Sequence, residues 1–466
     1  MECLSKKVKL LKTYVIITHI ITTQVIIMKF YNRELELEVL KKADSLKSKH
    51  SVMTMLIGRR RVGKTTLVLQ NYSQDRVVYL FVSKKNEHLL CEEFLEQLSL
   101  QLEIKVFGEF KSFEKLFEYI FELGKTINFT LIVDEFQELG KINSSIYSVL
   151  QKLWDLNKKQ THIHLIACGS IYTLMKKYFE DRGEPLFGRA DFKIDLQPLK
   201  VPVLKEILQD YNSYSAENLL DFYTITGGVA KYIELFVLNS SFDLDDMLDT
   251  MIDPNYLFLQ EGRNRLIEEF GKEYQTYFSI LSLLSSSKTS KSEIESILDK
   301  NISGYLTRLE YDYNIIRSIK PLGSKPNTKV QKYEIVDSFL AFWFRFIYKY
   351  QSLIEAQNFD RLKSIIKRDF STYKGRVLER LFVELFKRQQ IYTSIGAYWE
   401  RGNKNEIDIV AIDDIDKRIV FCEVKLSKNR LNQNELILKS QKLLQKYSDY
   451  EAEYKLLSLK DIDKML

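Results

Sequence analysis

The sequence predicts an α/β protein: a parallel sheet with helices on both faces, then a mainly helical segment and a small C-terminal α/β domain. Apolar runs alternate with amphipathic stretches, and a glycine-rich turn joins one such run to a helix, which predicts the first sheet. Two apolar runs flanking a polar turn near residue 415 predict a C-terminal β-hairpin. The 466 residues, 45% of them apolar, suffice for about three packed domains.

Bulk composition sets loose limits on function. The net charge of +6 comes from 69 basic and 63 acidic residues, a balance that permits nucleic-acid binding without indicating it. The four cysteines are scattered and form no CxxC pair, which fits a reducing, cytoplasmic setting. His162 and His164 lack further Cys or His partners in a zinc pattern, and we interpret them as structural.

Residues 1–27 form an N-terminal extension with an apolar stretch, Tyr14–Met28, that follows several lysines. The stretch is shorter than the ~20 apolar residues of a membrane span, His19 and Gln24 interrupt it, and no small-residue cleavage site follows. We prefer the interpretation that translation starts at Met28 and that the protein has no membrane partner. A membrane anchor is the alternative.

The most specific motif is MLIGRRRVGKTTLVL, which matches G-x-x-x-x-G-K-[ST]. It lies between a predicted strand, Val52–Ile57, and a predicted helix that starts with Thr65–Gln70. Such a turn cradles phosphates with backbone N–H groups at a helix N-terminus. We expect Lys64 to reach the β- and γ-phosphates and the Thr65 hydroxyl to bind Mg²⁺. The predicted nucleotide-binding residues of this turn are Gly58, Arg59, Arg60, Arg61, Val62, Gly63, Lys64, Thr65 and Thr66.

A second motif, FTLIVDEFQEL, ends an apolar strand in an acidic pair. We expect Asp134 to hold Mg²⁺ through water and Glu135 to polarise the attacking water. Another strand, Val77–Val82, lies between the two motifs along the chain; an inserted strand and a Glu after the Asp mark the hydrolytic branch of P-loop proteins. Strands at His162–Cys168 and Phe192–Leu196 extend the predicted parallel sheet.

Six motifs, in this order, resemble the archaeal-type ATPase family of AAA+/STAND-like P-loop proteins: FYNRELELEVL, GRRRVGKTTLV, LIVDEFQEL, LIACGSIYTLM, PLFGRADFKIDLQPL and TGGVAKYIELF. The resemblance covers nearly everything from residue 28 onward and implies ATP and Mg²⁺ as cofactors. It implies that Phe30–Glu34 lies near the adenine, that Ser170 faces the γ-phosphate as a sensor, and that Arg189 senses or completes the site. Cys168 stands where family members commonly carry Thr. A surface arginine is the alternative for Arg189.

From about Tyr274 the pattern gives three helices and two strands, the order of a winged helix-turn-helix, and the related family places such a module here. Residues 317–332 contain five basic and no acidic residues, a composition that suits phosphate backbone. They are Arg317, Lys320, Lys325, Lys329 and Lys332. The alternative is a solvated loop in a module that contacts protein only. The third helix offers Arg308 alone as a long base-reading side chain, so weak sequence preference is expected.

The C-terminal hairpin carries charge inside its apolar runs, IDIVAI and IVFCEV. If its strands pair symmetrically about the turn, Asp408 faces Glu423 and Glu406 faces Lys425. Cross-strand partners, and residues two apart, share one side of a sheet, so these side chains converge. An upstream amphipathic helix, GRVLERLFVELF, is expected to bring Glu379 over them.

Carboxylates in such a cluster bind Mg²⁺ or Mn²⁺. We expect Glu379, Asp408 and Glu423 as metal ligands, with Lys425 positioning the attacking hydroxide. The arrangement resembles the PD-(D/E)xK restriction-endonuclease fold, and this ATPase family often carries such a domain at its C-terminus. The alternative is a salt-bridged remnant of the fold in which Lys425 neutralises the carboxylates.

Together these observations predict four segments: the extension 1–27, a P-loop ATPase domain with a helical lid at 28–260, a winged helix at 261–345, and a nuclease-like domain at 346–466. The expected function is a cytoplasmic, Mg²⁺-dependent ATPase that couples nucleotide state to the other two domains and acts on DNA. The alternative is a nucleotide-gated switch that binds DNA or protein without cleavage. A membrane-anchored ATPase is a third option. The sequence leaves a homo-oligomer open.

Overall fold

A computed structural model of the protein describes residues 28–466 apart from 73–75, 107, 255–257, 326–327, 329 and 403. The N-terminal extension, on which the membrane-anchor alternative depends, lies outside this range. Within the described range, no helix is long and apolar enough to cross a membrane.

The first sheet has five parallel strands in the order β2-β3-β4-β1-β5, which confirms the predicted parallel sheet. In space, β4 lies between the P-loop strand β1 and the acidic strand β3, whereas the strand that lies between the two motifs along the chain, β2, forms an edge. The strands are β1 Val52–Ile57, β2 Val77–Phe81, β3 Phe129–Asp134, β4 Ile163–Gly169 and β5 Phe192–Asp195.

Helices cover both faces of this sheet because its strands are apolar on both sides. In β1, Met53, Met55 and Ile57 pack into one cluster, whereas Leu56 packs into another on the opposite face. The seven helices of this part are α1 Glu34–Lys47, α2 Lys64–Asn71, α3 Glu87–Gln101, α4 Phe113–Leu123, α5 Leu139–Ile142, α6 Ile146–Asn157 and α7 Tyr172–Glu180.

Four helices, here called the lid, follow β5. Their buried residues belong to one apolar cluster that continues into the rest of the chain and includes Ile233 of the lid, Phe344 and Ile409. The lid is therefore packed against the later segments through a shared core. Its helices are α8 Val201–Asp210, α9 Ala216–Thr226, α10 Ala230–Leu238 and α11 Leu244–Met251.

The middle segment, residues 258–350, has four helices and then an antiparallel two-stranded ribbon; the last three helices and the ribbon follow the order that the sequence predicts for a winged helix. The winged-helix assignment itself stays a prediction. The helices are α12 Phe258–Phe270, α13 Tyr274–Ser285, α14 Lys291–Leu298 and α15 Ser303–Thr307, the last continued by a π-turn, and the strands are β6 Ile316–Ile319 and β7 Lys332–Ile335. The predicted aromatic connection follows as α16 Ser338–Phe342 and further turns to Tyr350, and α16 is buried throughout.

The ribbon loop, predicted as a basic wing, packs against the C-terminal domain. Leu322 N–H donates to Ala397 O at 2.8 Å. The Lys332 ammonium lies 2.8 Å from a Glu406 carboxylate oxygen and 4.5 Å from the centre of the Trp399 ring. Of the other predicted wing cations, Arg317 binds Glu334, and residue 329 lies outside the described residues.

The C-terminal domain is a four-stranded sheet, β11-β10-β9-β8, against which a 30-residue helix packs. Its central hairpin pairs Cys422 with Ile409 as the last pair of the register, one residue short of Asp408 and Glu423, whose direct pairing stays a prediction. Asp413 fixes the turn, since one carboxylate oxygen accepts from the N–H groups of Ile415 and Asp416, each at 3.1 Å. The elements are α17 Gln351–Glu355, α18 Phe359–Arg388, β8 Ser394–Glu400, β9 Lys404–Asp413, β10 Arg418–Lys425, α19 Gln433–Leu444, β11 Glu451–Ser458 and α20 Ile462–Met465.

Candidate functional site

The glycine-rich turn after β1 has the backbone that its sequence demands. Gly63 caps α2 with a φ of 101°, the left-handed region that glycine reaches without strain. Gly58 has no room for a side chain, because a Cβ there would lie 2.8 Å from Leu196 O. Both motif glycines are therefore required by the conformation of the turn.

Lys64 lies inside this turn and is buried. Its ammonium donates to Gly58 O at 2.8 Å and to Arg59 O at 3.4 Å. Burial lowers the pKa of Lys64, while the charges of Glu135 and Asp134 act in the opposite direction. The ammonium is thus held by backbone carbonyls at the position where the motif places a phosphate-binding lysine.

Asp134 and Thr65 meet as predicted, and a third side chain that the sequence did not reveal joins them. The Thr65 hydroxyl donates to Asp134 Oδ2 at 3.2 Å, and the Tyr79 hydroxyl donates to the same oxygen at 2.6 Å. Burial, and then the Asp134 charge, raise the pKa of Tyr79. Hydroxyl and carboxylate oxygens are ligands that Mg²⁺ prefers, so Thr65 and Asp134 fit this ion.

Glu135 is held by neutral donors. The Ser170 hydroxyl donates to Glu135 Oε2 at 2.8 Å, and the Gln137 side-chain amide donates to the same oxygen. The backbone of Glu135 is left-handed, with a φ of 54°, which turns the chain sharply after β3. Ser170, predicted as a sensor, is therefore in contact with the predicted catalytic carboxylate. The contact of Gln137 was not predicted, because the sequence does not show that its side chain turns back onto Glu135.

A cavity of about 750 Å³ opens over these groups. Lys64, Thr65, Asp134 and Glu135 line it, together with part of the N-terminal segment that was predicted to lie near an adenine. That part comprises Phe30, Tyr31 and Arg33. The volume lies within the range of small-molecule sites, and the polar groups converge on one side of it.

Arg189 does not line this cavity. Its guanidinium makes two contacts with the Asp155 carboxylate, at 3.0 and 2.7 Å, and donates to Pro185 O at 2.7 Å. Arg59, also predicted to contact nucleotide, points away from the cavity as well, toward Asp337 at 3.1 Å. The structure therefore brings together the lysine, threonine and acidic pair, but not Arg189.

The C-terminal carboxylates form a second cluster, in which a cation lies between them. The Lys425 ammonium is 3.0 Å from Asp408 Oδ2 and 2.9 Å from Glu423 Oε1. Asp408 Oδ2 also accepts from Val424 N–H at 2.7 Å. Glu406, which the sequence places on the same side, binds Lys332 instead.

Glu379 reaches this cluster from α18. Burial, and next the charge of Asp408, raise the pKa of Glu379 to about 8, although Lys425 opposes the shift. Glu423 Oε2 is buried and has no hydrogen-bond partner among the described residues. Within the same range, no group of three or more His, Cys, Asp or Glu residues is arranged to hold a metal ion. The three predicted ligands thus lie near one another in a cluster that Lys425 partly neutralises.

A parallel sheet with a glycine-rich turn and lysine after β1 and an acidic pair after β3 defines a P-loop nucleotide-binding protein. Comparison with models of known protein families supports this assignment. Residues 30–236 match an ATPase domain predominantly from Archaea, and residues 343–437 match a domain of archaeal and bacterial proteins of unknown function. The chain therefore carries an archaeal-type P-loop ATPase domain followed by this second domain.

Individual relatives extend the similarity over most of the chain. An uncharacterized protein of Methanocaldococcus jannaschii is 29% identical over 446 residues, which are 93% of this chain and 94% of the relative. A Walker-type ATPase of Pyrococcus abyssi has a similar fold, with a TM-score of 0.53, 17% identity and coverage of 68% of this chain and 96% of its own. The Aeropyrum pernix ORC2 protein, solved with ADPNP and ADP, gives a TM-score of 0.50, 14% identity and coverage of 71% and 95%.

Proposed function

We propose that the protein hydrolyses ATP with Mg²⁺ at the P-loop site and that the nucleotide state controls the middle segment and the C-terminal domain, which act on DNA. One observation carries the ATPase part. Two pairs of residues that are distant in sequence, Lys64 with Thr65 and Asp134 with Glu135, line one cavity of about 750 Å³ at the carboxyl edge of a parallel sheet. That edge is where open α/β sheets bind their ligands.

Each residue has a role that follows from its contacts. Lys64, held by backbone carbonyls, can exchange them for phosphate oxygens without moving its stem. Mg²⁺, when bound by Thr65 and Asp134, would stabilise negative charge on the phosphates. Glu135 would accept the proton of the attacking water once Ser170 releases its oxygen.

Helix α18 supplies a route from the nucleotide site to the C-terminal cluster. Its Lys374 is buried against lid helix α9, 2.9 Å from Asp221 and 2.8 Å from Glu217. Further along, Glu384 accepts from the Tyr223 hydroxyl at 2.6 Å. Because α18 also carries Glu379, a movement of the lid would move that carboxyl relative to the hairpin.

Steady-state phosphate release tests the ATPase. We expect Lys64→Ala and Glu135→Gln each to lower kcat by at least about 100-fold, since each removes a group that acts on the transition state. Glu135→Gln should still bind nucleotide, because it leaves the P-loop intact. Glu138→Gln is the matched control: Glu138 forms an ion pair with Lys141 on the next turn. Parental turnover in both site variants would contradict the proposal.

The second part of the proposal is that the C-terminal cluster cleaves DNA. The buried, unpartnered Glu423 Oε2 supports it, because that oxygen can accept a cation, and Glu379 and Asp408 supply further carboxylate oxygens. Lys425 would then neutralise charge on the scissile phosphate. Cleavage of single-stranded, duplex and branched DNA, with Mg²⁺ or Mn²⁺ and with or without ATP, should be lost in Asp408→Ala and Lys425→Ala but kept in Asp414→Asn at the turn.

The two contacts of Lys425 favour a second candidate, a nucleotide-gated switch without cleavage. They place one ammonium between two carboxylates, and a second ammonium, that of Lys439, lies 3.6 Å from Glu423 Oε1, so the carboxylate charges are offset without a metal. Under this alternative, DNA binding that weakens with salt persists in Asp408→Ala, and no substrate is cut under any condition. The cleavage assay therefore separates the two candidates.

A further inference from the structure

Two arginines of the P-loop reach carboxylates that lie outside the ATPase domain. Arg61 Nη2 is 2.6 Å from Glu261 Oε2 on α12, and Arg59 Nη1 is 3.1 Å from Asp337 Oδ2 at the start of α16. Both carboxylates belong to the middle segment, beyond residues 30–236 that match the ATPase family. The turn that is predicted to bind the phosphates is therefore held by two ion pairs with the middle segment.

Both carboxylates are themselves rigidly placed. Their side chains are 5% and 4% exposed, so both ion pairs are shielded from water on the carboxylate side. Glu261 Oε1 accepts from the Tyr232 hydroxyl at 3.2 Å, and Asp337 Oδ1 accepts from Leu340 N–H at 3.0 Å, which caps α16. A fixed acceptor restricts the arginine that binds it, and through the side chain it restricts the P-loop backbone.

The backbone at Arg61 needs such support. Its φ of 69° lies in the left-handed region, which is unfavourable for a residue with a side chain. Arg61 O accepts from Lys231 N–H at 3.2 Å, and the Glu261 ion pair holds the other end of the residue. Gly63 and Lys64 follow two and three residues later in the same turn, so a change of conformation at Arg61 would displace them.

We propose that Glu261 and Asp337 are positioning residues of the nucleotide site: they hold the P-loop in its binding conformation through Arg61 and Arg59. The inference rests on the proposed ATPase function and adds residues that the ATPase domain does not contain. The docked middle segment thereby raises nucleotide affinity, and by linkage bound nucleotide strengthens the docking.

Binding of ADP with a fluorescent ribose label to the full-length protein tests this, together with KM and kcat for ATP. We expect Glu261→Gln and Asp337→Asn each to weaken binding by about tenfold, because both amides keep the shape and the local hydrogen bonds but lose the charge. KM for ATP should rise by a similar factor, while kcat changes less. Glu273→Gln, which breaks the exposed ion pair with Arg308 in the same segment, is the matched control and should bind like the parent.

A double-mutant cycle separates positioning from general damage to the fold. If Glu261 acts through Arg61, the double variant Arg61→Gln/Glu261→Gln binds no more weakly than Arg61→Gln alone. Additive losses, or parental affinity in both Glu261→Gln and Asp337→Asn, would overturn the proposal. Lys64→Ala is measured alongside. If it too binds nucleotide and turns over ATP like the parent, the ATPase proposal fails. If Lys64→Ala loses binding and turnover while the Glu261 and Asp337 variants behave like the parent, only the positioning role is rejected.

Discussion

The two carboxylate clusters of this protein differ in what satisfies them. Asp134 and Glu135 accept hydrogen bonds from neutral donors, the hydroxyls of Tyr79 and Ser170 among them, and face an open cavity. In the C-terminal cluster the Lys425 ammonium contacts Asp408 and Glu423 instead, and Glu423 Oε2 has no hydrogen-bond partner among the described residues. A neutral donor fixes a carboxylate and leaves its charge available to a cation, whereas an ion pair cancels it. The charges of the first cluster are therefore available to a cation, whereas Lys425 offsets part of the charge of the second.

The largest effect on stability is expected where the ammonium is removed. Lys425→Met leaves the largely buried Asp408 without its ion pair and Glu423 with only the more distant Lys439, at 3.6 Å, and we expect a loss of about 4 kcal/mol in the free energy of unfolding. Lys64→Met leaves only backbone carbonyls unpaired, and we expect a loss of about 1 kcal/mol. Urea unfolding measures both. Equal losses would mean that the clusters do not differ in the way described.

Lys442→Met is the control for Lys425→Met. Lys442 binds Glu400 in the same domain, but its side chain is 65% exposed. Exposed ion pairs contribute less than about 1 kcal/mol. If Lys442→Met lost as much stability as Lys425→Met, the loss would reflect a general sensitivity of the domain to Lys→Met substitution and not the burial of Asp408 and Glu423.

A third buried pair extends the comparison and adds pH dependence. We expect Lys374→Met to cost about 3 kcal/mol at pH 8, because Asp221 is then ionised and buried beside no close cation. Burial raises the pKa of Asp221 from 3.8 to about 6 although Lys374 opposes the shift. The folded state therefore keeps this proton to higher pH than the unfolded chain, and the group's contribution to stability falls as pH rises from about 4 to 6.

Without Lys374 the pKa of Asp221 rises further, so at pH 5 the carboxyl is protonated and little charge is left unpaired. Urea unfolding should accordingly show a smaller loss for Lys374→Met at pH 5 than at pH 8. Lys363→Met, on the same helix, removes a partly exposed pair with Asp249 and serves as control. A loss that does not change with pH would contradict the role assigned to Asp221.

Removing the neutral donor at the first cluster should have a smaller effect and should show up in turnover. Tyr79→Phe keeps the ring and removes the hydroxyl that binds Asp134 at 2.6 Å. A hydrogen bond to a charged group is worth about 1.5 kcal/mol, so we expect kcat to fall by about tenfold. Nucleotide affinity measured without Mg²⁺ should stay parental. A loss of nucleotide affinity without Mg²⁺ would show that the Tyr79 hydroxyl contributes to nucleotide binding directly rather than through Asp134.

The sequence was sufficient where structure depends on local pattern. The hairpin register was predictable because strand side chains alternate and a short turn fixes the pairing: counting outward from the turn gives Ile409 opposite Cys422, the residues next to Asp408 and Glu423. The P-loop, its flanking strand and helix, and the acidic pair were equally local. Each of these predictions needed only neighbours in sequence.

Contacts between distant segments were not predictable in this way. Nothing in VVYLF marks Tyr79 as the partner of Asp134, because that contact depends on β2 pairing with β3. The motif G-x-x-x-x-G-K-[ST] does not distinguish among the adjacent Arg59, Arg60 and Arg61, since all three occupy variable positions. In the structure, however, Arg59 and Arg61 bind the middle segment. Their direction is set by two buried carboxylates roughly two hundred and three hundred residues away, and a single sequence does not indicate which segment packs there.

The smallest effect is expected at Arg189, and it decides between the two interpretations of that residue. Arg189 is bound to Asp155, whose side chain is 52% exposed, and Arg189 does not line the cavity of its own chain. As a surface arginine, Arg189→Ala lowers stability by less than about 1 kcal/mol and leaves kcat unchanged at every protein concentration. As an arginine finger it would have to act on the nucleotide of another protomer, since it does not line the cavity of its own chain. Then kcat falls by about 1,000-fold, and mixing Arg189→Ala with Lys64→Ala restores turnover, because each variant supplies the residue that the other lacks.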